Sequence, residues 1–197
     1  GWVATRASGM KKNVAGNVED FCMKIRFVTA MGTIEYPSEY QRKSSGPDLH
    51  HIMLGSEGTM GVVTEVVCKI FKLPAIQRYG SVVFPDFQSG VKALHEISNR
   101  KYAPASIRLL DNVQFQMGAA LKLEHDSYIE IIADHAKKFL LTKVKGFDLE
   151  KCCAMTLLFE GNSKDEIDTQ ERRVNEIAKK HGGLVAGEEG GKQGYLL

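Results

Sequence analysis

No apolar stretch in the 197 residues approaches the roughly 20 that a membrane-spanning helix needs. Charge of one sign is also scarce. The 26 basic and 24 acidic residues interleave without a long run and leave a net charge of +2, which gives no electrostatic grip on nucleic acid or an anionic membrane. Cysteine is sparse. Cys22, Cys68, Cys152 and Cys153 lack the C-x-x-C spacing of a zinc or redox site, and they read as buried free thiols in a reducing compartment. Cys152 and Cys153 are adjacent, so on a strand they face opposite sides and cannot easily pair. There is no internal repeat, no low-complexity tract and no motif for a metal. An initiating methionine is missing too: the chain opens on Gly1-Trp2-Val3 and ends on Tyr195-Leu196-Leu197. Solvated termini are usually polar, so the expectation is an internal fragment, with any targeting segment outside it.

What is present is an ordinary globular composition, 43% hydrophobic and 25% charged, enough for one large or two small domains. The rhythm changes at Pro74, which predicts one domain over residues 1–74 and another over 75–197. Phe21 to Phe27 alternates with period two, Met23, Ile25 and Phe27 against Lys24 and Arg26, as a half-buried strand does. A turn at Met31-Gly32 leads to a short strand at Thr33–Glu35, then a polar loop from Tyr36 to Pro47. Asp48 is placed to cap a short helix through Leu54, with Gly55 at its C′ position. Gly61 to Phe71 reads as a long strand.

Beyond Pro74 the order is strand (Gly80–Phe84), helix (carrying Phe87, Val91, Leu94 and Ile97) and strand (Ala105–Leu110). Helical segments at 112–121 and 127–144 follow, then strand (Ala154–Phe159), helix and strand (Leu184–Ala186). Ser163 and Glu166 have capping-box spacing, and Gly182-Gly183 ends that helix. This is a ferredoxin-like split arrangement, an antiparallel sheet with helices on one face.

Two Gly-rich loops can carry chemistry. Gly55-Ser56-Glu57-Gly58-Thr59-Met60-Gly61 has glycine at every third position, which lets backbone N–H groups approach a phosphate or ring oxygen. It lacks the Gly-Lys-Ser/Thr of a P-loop, and a strand follows it where a dinucleotide fingerprint needs a helix. A plain strand-entry turn is the competing reading. Thr5-Arg6-Ala7-Ser8-Gly9, ahead of Lys11-Lys12, packs hydroxyl, guanidinium and glycine together. It suits a diphosphate or ribityl chain as well as it suits a solvated turn.

Taken together, Gly1 to Asn13, Gly16 to Asp20 and Gly55 to Thr64 resemble the FAD domain of the vanillyl-alcohol oxidase/para-cresol methylhydroxylase superfamily. Ser45-Gly46-Pro47-Asp48-Leu49-His50-His51, Ala103-Pro104-Ala105-Ser106-Ile107-Arg108-Leu109-Leu110-Asp111-Asn112 and Lys145-Gly146-Phe147-Asp148 are similar to its ether-lipid branch, the alkyldihydroxyacetonephosphate synthases. That resemblance covers essentially the whole chain. It implies an α+β protein: the C-terminal part of a PCMH-type FAD-binding domain, then a ferredoxin-like cap. The implied cofactor is non-covalently bound FAD. The implied reaction exchanges the acyl chain of acyl-dihydroxyacetone phosphate for a long-chain fatty alcohol, without net redox change. Peroxisomal location is implied by the family alone, and peripheral membrane association and a homodimer stay open.

By position, the resemblance implies FAD contacts at Thr5, Arg6, Ala7 and Ser8 and at Glu57, Gly58, Thr59, Met60, Gly61, Val62 and Val63. Met60 stands where leucine is usual, a volume-conserving change. Arg108, among apolar neighbours on a strand, is either ion-paired structurally or aimed at an anion such as the substrate phosphate. The resemblance favours the active-site wall, with Asp111 near enough in sequence to orient it. His50 and His51, as helix neighbours about 100° apart, cannot easily share a metal and take a structural or surface role. The family's acid/base tyrosine and histidines lie beyond Leu197. A 2-hydroxyacid dehydrogenase of the D-lactate type and a non-catalytic truncated product are the alternatives. The isolated segment is therefore expected to bind FAD weakly or not at all and to show no turnover. Stoichiometric yellow flavin on the purified segment would overturn that.

Overall fold

The computed structural model describes residues 1–35, 44, 46–100, 102–120 and 146–196. The chain divides into two compact units, Gly1–Leu73 and Pro74–Leu197, each with its own core.

In the first unit, β1 (Cys22–Thr29) is the middle strand of a three-stranded antiparallel sheet, between β2 (Gly32–Glu35) and β3 (Val62–Cys68). Ile25 and Phe27 are buried as the alternation predicts. At Met23 the alternation fails: the pairing with β3 slips there, Met23 is only half-buried, and Cys22 takes the core position instead. A bulge inserts one residue and so inverts which side chain faces inward. Two short helices that the sequence reading missed, α1 (Lys12–Ala15) and α2 (Val18–Phe21), precede the sheet. The Asp20 carboxylate accepts from the Asn17 amide at 2.7 Å to start α2. As expected, the Asp48 carboxylate accepts from the His50 amide at 3.0 Å and starts α3 (Leu49–Met53), and Gly55 follows with φ of 79°. Val18, Cys22, Ile25, Phe27, Met53 and Leu54 form the core. On the solvent side, Arg26 bridges Glu35 and Glu65, its partners on the two flanking strands. The loop expected over 36–47 lies mostly outside the described residues, as does the helix expected over 127–144.

The second unit is a four-stranded antiparallel sheet in the order β5-β6-β4-β7, the ferredoxin-like order. Its strands are β4 (Ile76–Phe84), β5 (Ser106–Leu110), β6 (Cys153–Gly161) and β7 (Leu184–Val185). One face carries Val82, Phe84, Cys153, Met155, Leu157 and Phe159. Ala93 and Ile97 of α4 (Phe87–Asn99) cover it, with Ile167, Val174, Ile177 and Ala178 of α6 (Lys164–Lys180). Each large side chain so buried contributes about 1.5–3 kcal/mol. The expected apolar stripe of α4 holds at Ile97, which is buried, and at Leu94, which packs against the core, but not at Phe87. Phe87 is exposed, and Gly90, Ala93 and Ile97 face inward. A Cβ on Gly90 would lie 2.6 Å from Leu109, so only a small residue lets this helix sit so close. Ser163 starts α6 as expected, but its side chain makes no cap hydrogen bond, so the anticipated capping box is not formed.

A larger departure is α7 (Glu188–Leu196), which follows β7. Its glycines make it a poor helix by propensity, and no periodicity in the sequence predicts it. Those glycines are what it packs with. A Cβ on Gly191 would collide with the Gly80 backbone, and one on Gly194 would lie 2.7 Å from Thr156. Ser81 and Thr156, which α7 covers, alternate with the core-facing Val82 and Met155. Strand geometry therefore places α7 on the opposite face from α4 and α6, and the sheet is covered on both sides.

Glu96 of α4 ties that helix to the end of α6. Its carboxylate accepts from Lys180 Nζ at 2.9 Å, lies 2.8 Å from His181 Nε2, and meets Arg100 at 3.0 Å. The Lys180 and His181 hydrogen bonds hold its carboxyl well below the usual range, at about 2. A depressed acid stabilises the fold above its ordinary value of 4.5 and loses that contribution as pH falls toward about 2. The thermal midpoint of the native protein is therefore expected to fall more steeply between those pH values than that of Glu96→Gln. Parallel profiles would show that the cluster contributes nothing.

Candidate functional site

The first Gly-rich segment is a single helical turn. The Thr5 amide donates to the Gly1 carbonyl at 3.0 Å, Arg6 to Val3 at 3.2 Å, and Ala7 to Trp2 at 2.9 Å. The last two are the paired bonds of a Schellman ending, whose C′ residue adopts positive φ and is usually glycine. Here it is Arg6, at φ 50°. The second segment turns at Ser56–Thr59, closed by the Thr59 amide on the Ser56 carbonyl at 2.9 Å. Glu57 at φ 49° and Gly58 at φ 79° match a type I′ turn.

These turns, some fifty residues apart in sequence, form one structure. The Gly55 amide donates to the Val3 carbonyl at 3.1 Å, and the Glu57 amide donates to Ala4 at 2.9 Å. A Cβ on Gly55 would stand 3.2 Å from the Arg6 Cβ, so glycine is what permits the contact. Gly61 is fixed by a different constraint: its Cβ would run into the Val28 carbonyl. Arg6 and Glu57 are the only non-glycine residues with positive φ among those described, and each belongs to one of the two loops. Such conformations cost roughly 1–2 kcal/mol each and tend to gather at functional sites.

Much of the side-chain polarity here is already committed to protein partners. Thr5 Oγ1 donates to Gly1 O at 3.2 Å, Ser8 Oγ to Asn17 Oδ1 at 2.7 Å, and Thr59 Oγ1 to Ser56 O at 2.6 Å. Arg6 Nε lies 3.6 Å from Glu19 Oε1. Ala7 is half-buried and accepts from the Val18 amide at 3.4 Å. Met60 and Val62 are exposed, whereas Val63 packs on the core. What remains open is backbone: nothing lies within 4 Å of where a Gly58 Cβ would be. Beside Gly58, Ser56 Oγ is buried without a hydrogen-bonding partner, and so are Glu19 Oε2 and His50 Nε2. Sequence reasoning passed over Ser56, whose only signal was a hydroxyl at the first corner of the turn. Burial pushes the His50 imidazole pKa down. His51 is exposed and lies 3.8 Å from Asp48, and no group of three or more His, Cys, Asp or Glu poised for a metal occurs among the described residues. A groove of about 440 Å³ adjoins the first turn, lined among others by Trp2, Val3, Phe21, Val63, Val66 and Cys68.

Arg108 belongs to the second unit. It is half-buried in β5, directly opposite Thr156, which in turn lies opposite Ser81. Cross-strand partners share a face, so these three polar residues form a row on the face away from α4 and α6. Ser81 Oγ donates to the Gly187 carbonyl at 2.7 Å, while Thr156 Oγ1 is buried and unpartnered. Asp111, which the sequence offered as a partner for Arg108, is engaged at the start of the next helix. Its carboxylate accepts from the Gln114 amide at 2.8 Å and starts α5 (Asn112–Ala120). The rest of that motif supports the strand. Gln170 Nε2 donates to the Tyr102 and Ala103 carbonyls, and Asn112 Nδ2 donates to Leu149 and Cys152.

The family described as FAD linked oxidases, C-terminal domain, matches residues 73–195. Alkyldihydroxyacetonephosphate synthase of Caenorhabditis elegans is 48% identical over all 197 residues, and the chain spans 33% of that relative's length. A solved structure of alkyldihydroxyacetonephosphate synthase superposes with a TM-score of 0.79 at 32% identity, covering 99% of this chain and 35% of that one. Substrate-bound p-cresol methylhydroxylase shares the fold at a TM-score of 0.66 and 18% identity, covering 96% of this chain and 38% of that one. The strain at Arg6 and Glu57 is measurable by itself. Arg6→Gly and Glu57→Gly are each expected to stabilise the first unit by about 1 kcal/mol in denaturant unfolding. Destabilisation of that size by either change would contradict the left-handed backbone described.

Proposed function

The chain belongs to the FAD linked oxidase, C-terminal domain family, and on that premise we propose that it serves an FAD-dependent alkyl transfer of ether-lipid synthesis. The acyl chain of acyl-dihydroxyacetone phosphate is exchanged for a long-chain fatty alcohol, giving alkyl-dihydroxyacetone phosphate and a fatty acid. The observation that carries this reading is the 48% identity to an alkyldihydroxyacetonephosphate synthase across every residue, both loops and the Arg108 segment included. Peroxisomal location belongs to the same proposal.

In this reading residues 1–74 are part of the FAD-binding domain and residues 75–197 part of the substrate domain. FAD binds non-covalently along the joined turns, through Thr5–Ser8 and Glu57–Val63. The fit is chemical as well as positional. The open space over Gly58 admits a ligand against the backbone. When bound, FAD supplies the ring at which the exchange occurs without net oxidation. The chain's residues bind and orient. Bonds to Val3 and Ala4 hold the second turn in place, so the site is formed before the cofactor arrives. Arg108 offers a fork of donors that suits the phosphate of the substrate.

The enzyme containing this chain is expected to form alkyl-dihydroxyacetone phosphate from acyl-dihydroxyacetone phosphate and hexadecanol, and not to reduce dyes with 2-hydroxyacids. Arg108→Ala should lower kcat/KM by about 10–100-fold, the value of a charge-assisted hydrogen bond of roughly 1.5–3 kcal/mol, while bound flavin is retained. Dye reduction by D-lactate without alkyl transfer would replace this reading with a dehydrogenase.

A further inference from the structure

Cys22 opens β1 and Cys68 closes β3, and the two are direct partners in the antiparallel register. The type of pairing follows from one hydrogen bond. The Lys69 amide donates to the Phe21 carbonyl at 2.7 Å, one residue outside the pair on each strand. The cysteines therefore occupy a non-hydrogen-bonded position, where Cα atoms sit about 4.5 Å apart and side chains approach most closely. A disulfide accepts Cα separations of about 4.4–6.8 Å. The slip at Met23 belongs to the same arrangement, since it turns Cys22 inward beneath its partner.

The two thiols differ in exposure. Cys22 is buried, whereas Cys68 is exposed and lines the groove that also holds Trp2, Val3 and Val63. The sequence predicts four buried thiols, and Cys68 departs from that expectation. Cys152 and Cys153 remain buried, with Cys153 Sγ donating to the Asp86 carbonyl at 3.4 Å.

We propose that Cys22 and Cys68 form a reversible disulfide when the protein meets a peroxide. Cys68, the exposed sulfur, is oxidised first: its thiolate attacks hydrogen peroxide, giving a sulfenic acid and releasing hydroxide, which takes up a proton to become water. Cys22 then attacks that sulfur, forming the S–S bond and expelling a second water. In sum two thiols and one hydrogen peroxide give one disulfide and two waters, and a dithiol reductant reverses it. Burial, and then the neighbouring Cys68, raises the Cys22 thiol to about 11. The bond would staple both ends of the segment carrying α3 and the Gly55–Val63 turn. Constraining a loop of that length in the unfolded chain is the usual source of disulfide stabilisation.

The test uses the full-length enzyme treated with hydrogen peroxide, digested without reduction, and read by mass spectrometry. The expected product is a peptide pair joined through Cys22 and Cys68, two hydrogens lighter than the sum of its parts and separated by dithiothreitol. The thermal midpoint should rise by several degrees on oxidation and return on reduction. Cys68→Ser and Cys22→Ala should each abolish both changes, and unoxidised Cys68→Ser should keep the native midpoint within a degree or two. Accumulation of Cys68 sulfinic acid with Cys22 still reduced would overturn the proposal. So would a midpoint shift that persists in Cys68→Ser.

Discussion

Two backbone hydrogen bonds, from the Gly55 amide to Val3 and from the Glu57 amide to Ala4, hold the first unit's two Gly-rich turns together. They join a helical turn at the start of the chain to a reverse turn some fifty residues later. Each turn contains a residue in the left-handed region where glycine would be the easier choice. Without the clasp, Arg6 and Glu57 would have little reason to stay there, because the cost of those conformations is repaid only by the contacts that fix them. Gly61 then passes against the Val28 carbonyl and leads into β3, so the clasp is continuous with the sheet.

The second unit meets a different constraint. One sheet face needs an apolar cover, which α4 and α6 supply, and the other carries Ser81, Thr156 and Arg108 in a row. A helix of ordinary residues could not lie on that row as closely as α7 does. Its glycines remove the side chains that would hold it off Gly80 and Thr156. Polar residues on a sheet are tolerable when they are paired. Ser81 is paired, and the Thr156 hydroxyl is the exception on this face.

Much of this was legible in the sequence, and the failures share a cause. Period-two alternation located β1, the order of elements beyond Pro74 predicted the ferredoxin-like sheet, and Asp48 and Gly55 marked the ends of α3. The misses occurred where tertiary contact overrides local preference. A glycine-rich tail became α7 because the sheet surface accepts only glycine, and Gly90 faced inward where Phe87 was expected. The bulge at Met23 reversed the buried positions and placed Cys22 opposite Cys68, which no pattern within either strand announces. At the site, spacing marked both loops as able to meet a ligand, but their hydrogen-bonded union belongs to the fold. Ser56 gave almost no signal, since a buried hydroxyl is unremarkable until its partners are counted.

The central claim is that the two turns act as a single flavin-contacting surface. Amide hydrogen exchange on the full-length enzyme, with FAD removed and then restored, tests it directly. The account predicts that restoring FAD protects Thr5–Ser8 and Glu57–Val63 together, at the same FAD concentration, because the Val3 and Ala4 bonds couple them. Protection of neither segment, or of one at a concentration that leaves the other unchanged, would contradict it.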